Sequence, residues 1–385
     1  MKRFFTTLWP LSRKEKQDAE QFKSYVSAAQ LAEIKQLLKE KKAGVFQESL
    51  KATLVNTPAY PQLNALAEKR NVYQYLTDVN ALIRKKALED SFYTFAQHAE
   101  NTLSRHIGPN LAQGTAANAL RKAVLLQLFS RQQLHILILG DNLSGKEWVL
   151  KNSAALAPLS AIYAGKDAAH LVAVREKSSI RRGLLPTAHN GIFCIPEFTL
   201  ERKEEHSVLD AMDKGTVQYD KKIAKGEFKA HISVLATATP KGQKLLVKSL
   251  ELLKKQLAFD PALLSRFHLV FVLQEPERGA YQIRTGDLQS QKLKFEDTEY
   301  MKEYISYAKK IDVDYDKRHD GCIAACISQL QTREWKFLTP VQEHAADIVR
   351  NLAKARAALN LRTEVSEEDV QEAMRIVTDS RSIHA

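Results

Sequence analysis

Cysteine is scarce in this chain: Cys194, Cys322 and Cys326 are the three present in 385 residues. No pair of C-x-x-C elements exists, which argues against a structural zinc site, and the low usage fits a reducing compartment. Cys194 lies inside an apolar run. Cys322 and Cys326 are four apart, share a helix face, and are expected to be small core residues. No apolar run is long enough to span a bilayer, so no membrane partner is expected. The start, "MKRFFTTLWPLSRKEK", is basic and then apolar. Its apolar part is short, contains Pro10 and lacks a small-residue cleavage site, so it reads as an ordinary N-terminus. There is no G-x-S-x-G elbow and no H-E-x-x-H helix, which removes two common hydrolytic chemistries. Internal repeats and low-complexity stretches are also missing. The histidines are scattered, and His135 and His268 beside apolar runs read as packing or capping residues rather than ligands.

Positive charge is plentiful. The net charge is +12 and the isoelectric point about 9.4, an excess that favours polyanions such as nucleic acid. A lysine-rich solvated surface gives the same number. Residues 1–100 read as helices. "SAAQLAEIKQLLKEKKAG" puts Leu31, Ile34, Leu37 and Leu38 on one face with Gly44 as a stop. This region fits a small bundle, a helix-turn-helix variant or a docking module. From about 101 the texture changes. Helical "NALRKAVLLQLFS" leads into the strand "LHILILG", followed by strands at 191–195, 231–238 and 269–273 with helices between. Short, continuously apolar strands alternating with helices predict an α/β core with a parallel sheet covered on both faces. A polar stretch at 276–298 reads as a linker, and 299–385 reads as helical. In "TEVSEEDVQEAMRIV" a helix starts at Ser366 with acids in its first turn.

The loop in "LHILILGDNLSGKEWVL" carries the chemistry. Gly140, Gly145 and Lys146 satisfy the G-x-x-x-x-G-K spacing between a buried strand and a new helix. Backbone N–H groups of such a loop and of the first helical turn face phosphate oxygens, and the lysine adds charge. The residue after the lysine should be Ser or Thr, to hold magnesium; here it is Glu147. A working site also needs an acidic pair at the end of the strand "GIFCI", one acid for the metal and one to polarise water. Here the pair is Pro196–Glu197.

The order of these blocks, together with "SVLATATP", "ALLSRFHLVFVL", "MKEYISYAKK" and "LRTEVSEEDVQEAMRIV", resembles the AAA+ module of the minichromosome maintenance (MCM) replicative helicases. The resemblance runs from about Leu120 to the C-terminus. It implies a P-loop three-layer αβα core with a C-terminal helical lid domain, preceded by a small helical N-terminal region. The first hundred residues do not resemble the family's N-terminal region, with its oligonucleotide-binding barrel, so that part is expected to be missing.

By this resemblance Gly140, Asp141, Ser144, Gly145 and Lys146 fall on the phosphate loop, and Glu147 replaces the magnesium-holding hydroxyl. Pro196 replaces the metal-binding acid, and Glu197 is the water-activating acid. The sensor asparagine becomes Thr239, and the second sensor arginine falls near His344. Arg266 matches the arginine finger that acts on a neighbouring subunit's nucleotide. "TVQYDKKIAKGEFKAHI" matches a channel hairpin, whose Lys221, Lys222, Lys225 and Lys229 would contact a phosphate backbone while Tyr219 stacks on a base. A solvated turn with charged ends fits those lysines too. Arg175, Lys177, Arg181 and Arg182 form a second basic cluster on a shortened insertion.

Pro196 cannot ligate, and Glu147 could reach a metal only against phosphate repulsion. The expectation is weak binding of ATP or ADP, doubtful magnesium, and hydrolysis impaired or lost. The chain would then be a DNA-binding, non-catalytic subunit or regulator in DNA replication or unwinding, inside a cell's cytoplasm or nucleus. It would assemble with itself or with an active MCM relative. Two other readings stay open: an active helicase with an unusual metal site, and an AAA+ fold kept as a scaffold.

Overall fold

Runs that are apolar at every position need cover on both sides, and the computed structural model supplies it. It describes residues 88–385 except 110, 112–113, 142–143, 164, 166–167, 177–178, 199, 201, 222–223, 241–255, 257–260, 274–294, 333–343 and 382–385. The chain divides into two units, Met1–Phe95 and Ala96–Ala385. Of the first, residues 88–95 are described and are helical; the helices read from the sequence before them lie outside the described residues, as does nearly all of the expected linker.

The second unit is built on five parallel strands: β1 (Ile136–Gly140), β2 (Ser160–Ile162), β5 (Ile192–Ile195), β8 (Ser233–Ala238) and β9 (Leu269–Leu273). Their order is β2-β5-β8-β1-β9, so β1 is flanked by the last two strands of the sheet in chain order. Two antiparallel hairpins stand apart from this sheet: β3 (Ala173–Arg175) with β4 (Ile180–Arg182), and β6 (Thr216–Lys221) with β7 (Ala224–Lys229). The four long sheet strands lie within two residues of the sequence reading. β2 is a three-residue edge strand that the sequence reading did not find.

Alternation along each strand sends successive side chains to opposite faces. Leu137, Leu139, Phe193, Ile195, Val234 and Ala236 join one cluster with Val208, Ala211 and Met212. Those three belong to the helix Arg202–Lys214, which we call α4, after α1 (Ala99–Ile107), α2 (Thr115–Phe129) and α3 (Lys146–Leu156). The other face meets α2 and α3; the Cys194 thiol, fully buried in β5, lies 4.0 Å from the Leu150 carbonyl. The Gln127 amide of α2 donates to the Leu134 and Val234 carbonyls at 2.7 and 3.0 Å, so a buried polar side chain ties helix to sheet.

The C-terminal helices are α5 (Phe295–Ala308), α6 (Asp320–Gln331), α7 (Ala345–Leu359) and α8 (Glu367–Arg381). α7 and α8 pack on α2, and α8 reaches β9. Tyr304 of α5 is buried, with its hydroxyl on the Leu359 carbonyl and its ring edge-on to Phe129 at 6.0 Å. The start at Ser366 is a capping box: Ser366 N donates to Asp369 at 2.9 Å, and Asp369 N to the Ser366 hydroxyl at 3.4 Å. Cys322 and Cys326 depart from expectation. Cys322 is exposed and Cys326 half-buried, because α6 buries the Ile323 and Leu330 stripe instead. His135 and His268 behave as read: Val234 N donates to His135 Nδ1 at 3.1 Å, His135 N to His268 Nδ1 at 3.0 Å, and the two rings stack at 4.7 Å. No described helix is long and apolar enough to cross a membrane.

Candidate nucleotide site and basic hairpin

At the C-terminal edge of the sheet, β1 ends in Gly140 and the chain enters α3 through Gly145, whose φ of 82° belongs to the left-handed region that glycine tolerates. Close approach is the reason for Gly140. A side chain there would meet the Ser144 hydroxyl at 2.6 Å and the Leu273 carbonyl at 3.0 Å. The first amides of α3 have no acceptor inside the helix and, with the helix dipole, make an anion-binding end. Ser144 is buried, and among the described residues its hydroxyl has no partner. An orphaned donor of this kind, in a glycine-framed loop, fits a ligand oxygen.

Lys146 is 1% exposed. Its Nζ donates to Thr239 Oγ1 at 2.8 Å and to the Asp141 carbonyl at 3.3 Å, and it lies 3.1 Å from Glu197 Oε1. Thr239 completes a triangle: its hydroxyl donates to Glu197 Oε1 at 2.6 Å and its amide to Glu197 Oε2 at 3.1 Å. Burial pushes the Glu197 carboxyl up, but the Thr239 hydroxyl and Lys146 outweigh it and hold the group below the usual range. Glu197 adopts φ of 50°, uncommon outside glycine, with its amide fixed on Thr237 Oγ1 at 3.1 Å. A non-glycine residue in that region carries strain that the surrounding contacts must hold in place.

The sequence thus brings Lys146, Glu197 and Thr239 into one cluster beside Asp141 and Ser144. Thr237, which the sequence reading did not single out, is an addition: it holds the Glu197 amide from one strand away, and the alternation in "ATATP" is the signal that could have found it. Magnesium fits the donor set poorly. Pro196 offers no side-chain ligand, and the Glu147 carboxylate pairs with Lys151 at 3.3 Å on the exposed side of α3. Among the described residues no group of three or more His, Cys, Asp or Glu could hold a metal ion.

A family model described as the MCM P-loop domain matches residues 92–282. A DNA replication licensing factor MCM6 of Oryza sativa subsp. indica is 30% identical over 221 residues, 50% of this chain and 26% of that protein. A zygotic DNA replication licensing factor mcm6-B of Xenopus laevis is 26% identical over 295 residues, covering 68% of this chain and 35% of its own length. An MCM-type protein of Methanocaldococcus jannaschii is 27% identical over 305 residues, again 68% of this chain and 43% of its own. The chain is a divergent homologue of the MCM family. It spans less than half the length of these relatives, and its parallel five-stranded sheet fits the AAA+-type core expected of an MCM module.

The remaining MCM-matched residues lie elsewhere in the second unit. Arg266 is exposed and held by Asp213, with Nε 2.8 and 3.1 Å from the two carboxylate oxygens. Asp213 lies in the last turn of α4 at the root of the β6–β7 hairpin, 53 residues away in sequence, and nothing in the local pattern marked it. His344 sits exposed at the start of α7, 3.6 Å from Asp347. The hairpin forms where the MCM resemblance put it. Tyr219 pairs with Gly226 across it, and the Tyr219 ring stacks on Phe228 at 4.7 Å, so one ring face is already used. Lys225 reaches Asp220 at 2.6 Å, and Lys229 is exposed. Lys221 ends β6, and Lys222 lies outside the described residues. In the smaller hairpin Arg181 pairs with Glu176 at 3.3 Å and Arg182 is exposed; Arg175 lies in β3, and Lys177 is outside the described residues.

Proposed function

We propose that this chain is a DNA-associated MCM-like subunit whose own nucleotide site binds ATP or ADP weakly and does not hydrolyse ATP. The observation that carries the reading is the closed Lys146–Glu197–Thr239 triangle in a site with proline at position 196. Phosphoryl transfer relies on neutralising charge at the transferred group, mostly through a metal and its ligands. Here the hydroxyl that would hold the metal is replaced by Glu147, and that carboxylate is engaged with Lys151. Glu197 would be the acid that orients water, but it is anchored on Lys146 and Thr239. Lys146, Ser144 and the first amides of α3 would bind the phosphates. Arg266 is outside this site, so its action on a neighbouring subunit's nucleotide survives the loss at home. The basic hairpin would track a DNA backbone without reading sequence. DNA, further copies of this chain and an active MCM relative are the partners this implies, in the cytoplasm near the nucleoid or in the nucleus. Two of the relatives, themselves named DNA replication licensing factors, point to the same process.

The test is ATPase activity of the purified protein beside Lys146→Ala. The two rates are expected to coincide, and a turnover that depends on Lys146 overturns the reading. Adding an active relative and DNA extends it: a rate increase in the mixture that Arg266→Ala removes supports the partner role.

A further inference from the structure

We propose that Ser144, Lys146 and the first amides of α3 take a nucleoside diphosphate without a metal ion, so that this site reads nucleotide independently of magnesium. The proposal rests on the reading that the site binds nucleotide and deepens it by naming the species bound.

Three observations carry it. First, both positions from which an MCM-like site would hold magnesium are unsuited: Pro196 has no donor, and the Glu147 side chain lies on the exposed face of α3 beside Lys151. Glu197, the remaining acid, already accepts from the Thr239 amide and hydroxyl and from Lys146. Second, the groups that bind phosphate directly are kept. Gly140 lets the Ser144 hydroxyl pack against the end of β1, that buried hydroxyl has no partner among the described residues, and Lys146 is a buried cation. Third, charge limits the ligand. Lys146 is shared with Glu197 at 3.1 Å, so each further phosphate without a metal adds repulsion toward that carboxylate. A third phosphate therefore brings no gain, and the diphosphate is the better fit.

The experiment is isothermal titration of the full chain with ADP and with ATP, each in magnesium and in EDTA. ADP affinity is expected to agree within about twofold between the two buffers, with ATP no tighter than ADP. Weakening of ADP by about tenfold or more on chelation overturns the metal-free site while leaving nucleotide binding intact. Binding of neither nucleotide in either buffer overturns the underlying reading and the proposal with it. A gain-of-function arm separates this from a merely weak site. The double variant Glu147→Ser with Pro196→Asp, checked for folding by its urea midpoint, is expected to bind ADP several-fold tighter in magnesium than in EDTA. A folded double variant indifferent to magnesium overturns the assignment of metal loss to these two positions.

Discussion

Two buried charges in this molecule are handled in opposite ways. Asp369 at the start of α8 has a fully buried side chain. It accepts from Arg356 at 2.9 Å, from Arg362 at 2.7 and 2.8 Å, and from the amide and hydroxyl of Ser366 at 2.9 Å each. Burial pushes its carboxyl up, but Arg362 and Ser366 hold it below the usual range. Lys146 is buried as deeply, yet its counter-charge Glu197 is 41% exposed, and a neighbouring hydroxyl has no described partner. A charge surrounded by protein partners is structural, because nothing is left for a ligand to satisfy. A charge whose counter-ion is open to water, beside a buried hydroxyl without a described partner, has the makings of a ligand site.

Breaking the first cluster should show the largest effect. Asp369→Ala leaves Arg362 without this anion and Arg356 with Glu100 alone, and removes one half of the α8 capping box; it is expected to cost about 3 kcal/mol in urea unfolding. A loss under about 1 kcal/mol would place Asp369 with the ordinary surface pairs.

Acid comes next. His135 is held well below its ordinary value of 6.5, by burial first and by His268 second. Its folded form refuses a proton that the unfolded chain accepts. Stability is therefore whole above pH 6.5 and falls as the pH drops below it, by up to about 1.4 kcal/mol per pH unit for one such group. The depressed carboxylates Glu197 and Asp369 add their loss only lower, as pH falls through and below the ordinary carboxylate range. Urea midpoints measured from pH 7.5 to 4.5 should decline in that order, and His135→Gln should flatten the upper part.

The functional cluster should respond the other way from the structural one. Lys146→Met removes a buried cation and keeps its volume, and Glu197, 41% exposed, can turn to water, so stability should fall by less than for Asp369→Ala while nucleotide binding disappears. A large loss of stability with binding retained would reverse the assignment of the two clusters. The smallest effect on stability belongs to the hairpin. Lys225 and Asp220 form an exposed pair worth about 0–1 kcal/mol. Reversing Lys221 and Lys225 to Glu should leave unfolding almost untouched, yet weaken DNA binding and flatten its salt dependence.

Much of this was legible in the residues. Gly140, Gly145 and Lys146 announce a phosphate loop because the geometry demands those residue types, and the four long strands announce themselves by unbroken apolar runs. β2 did not, since three residues of which Ala161 is the buried one give no period to read. Cys322 and Cys326 show a different limit. Spacing states that two residues share a helix face, and packing decides which face is inside. Asp213 was invisible for a third reason: its meaning comes from Arg266, which the fold brings to it from the far side of the hairpin and of β8.

That last contact has a thermodynamic corollary. An anion that draws Arg266 away leaves Asp213 without its cation at the root of the hairpin. The affinity for anion at one end and for cation at the other are then linked by one factor, equal in both directions. Under the proposed role of Arg266, an exposed ion pair of little consequence to stability would become a point where events at the hairpin and events at a neighbour's phosphates enter the same equilibrium.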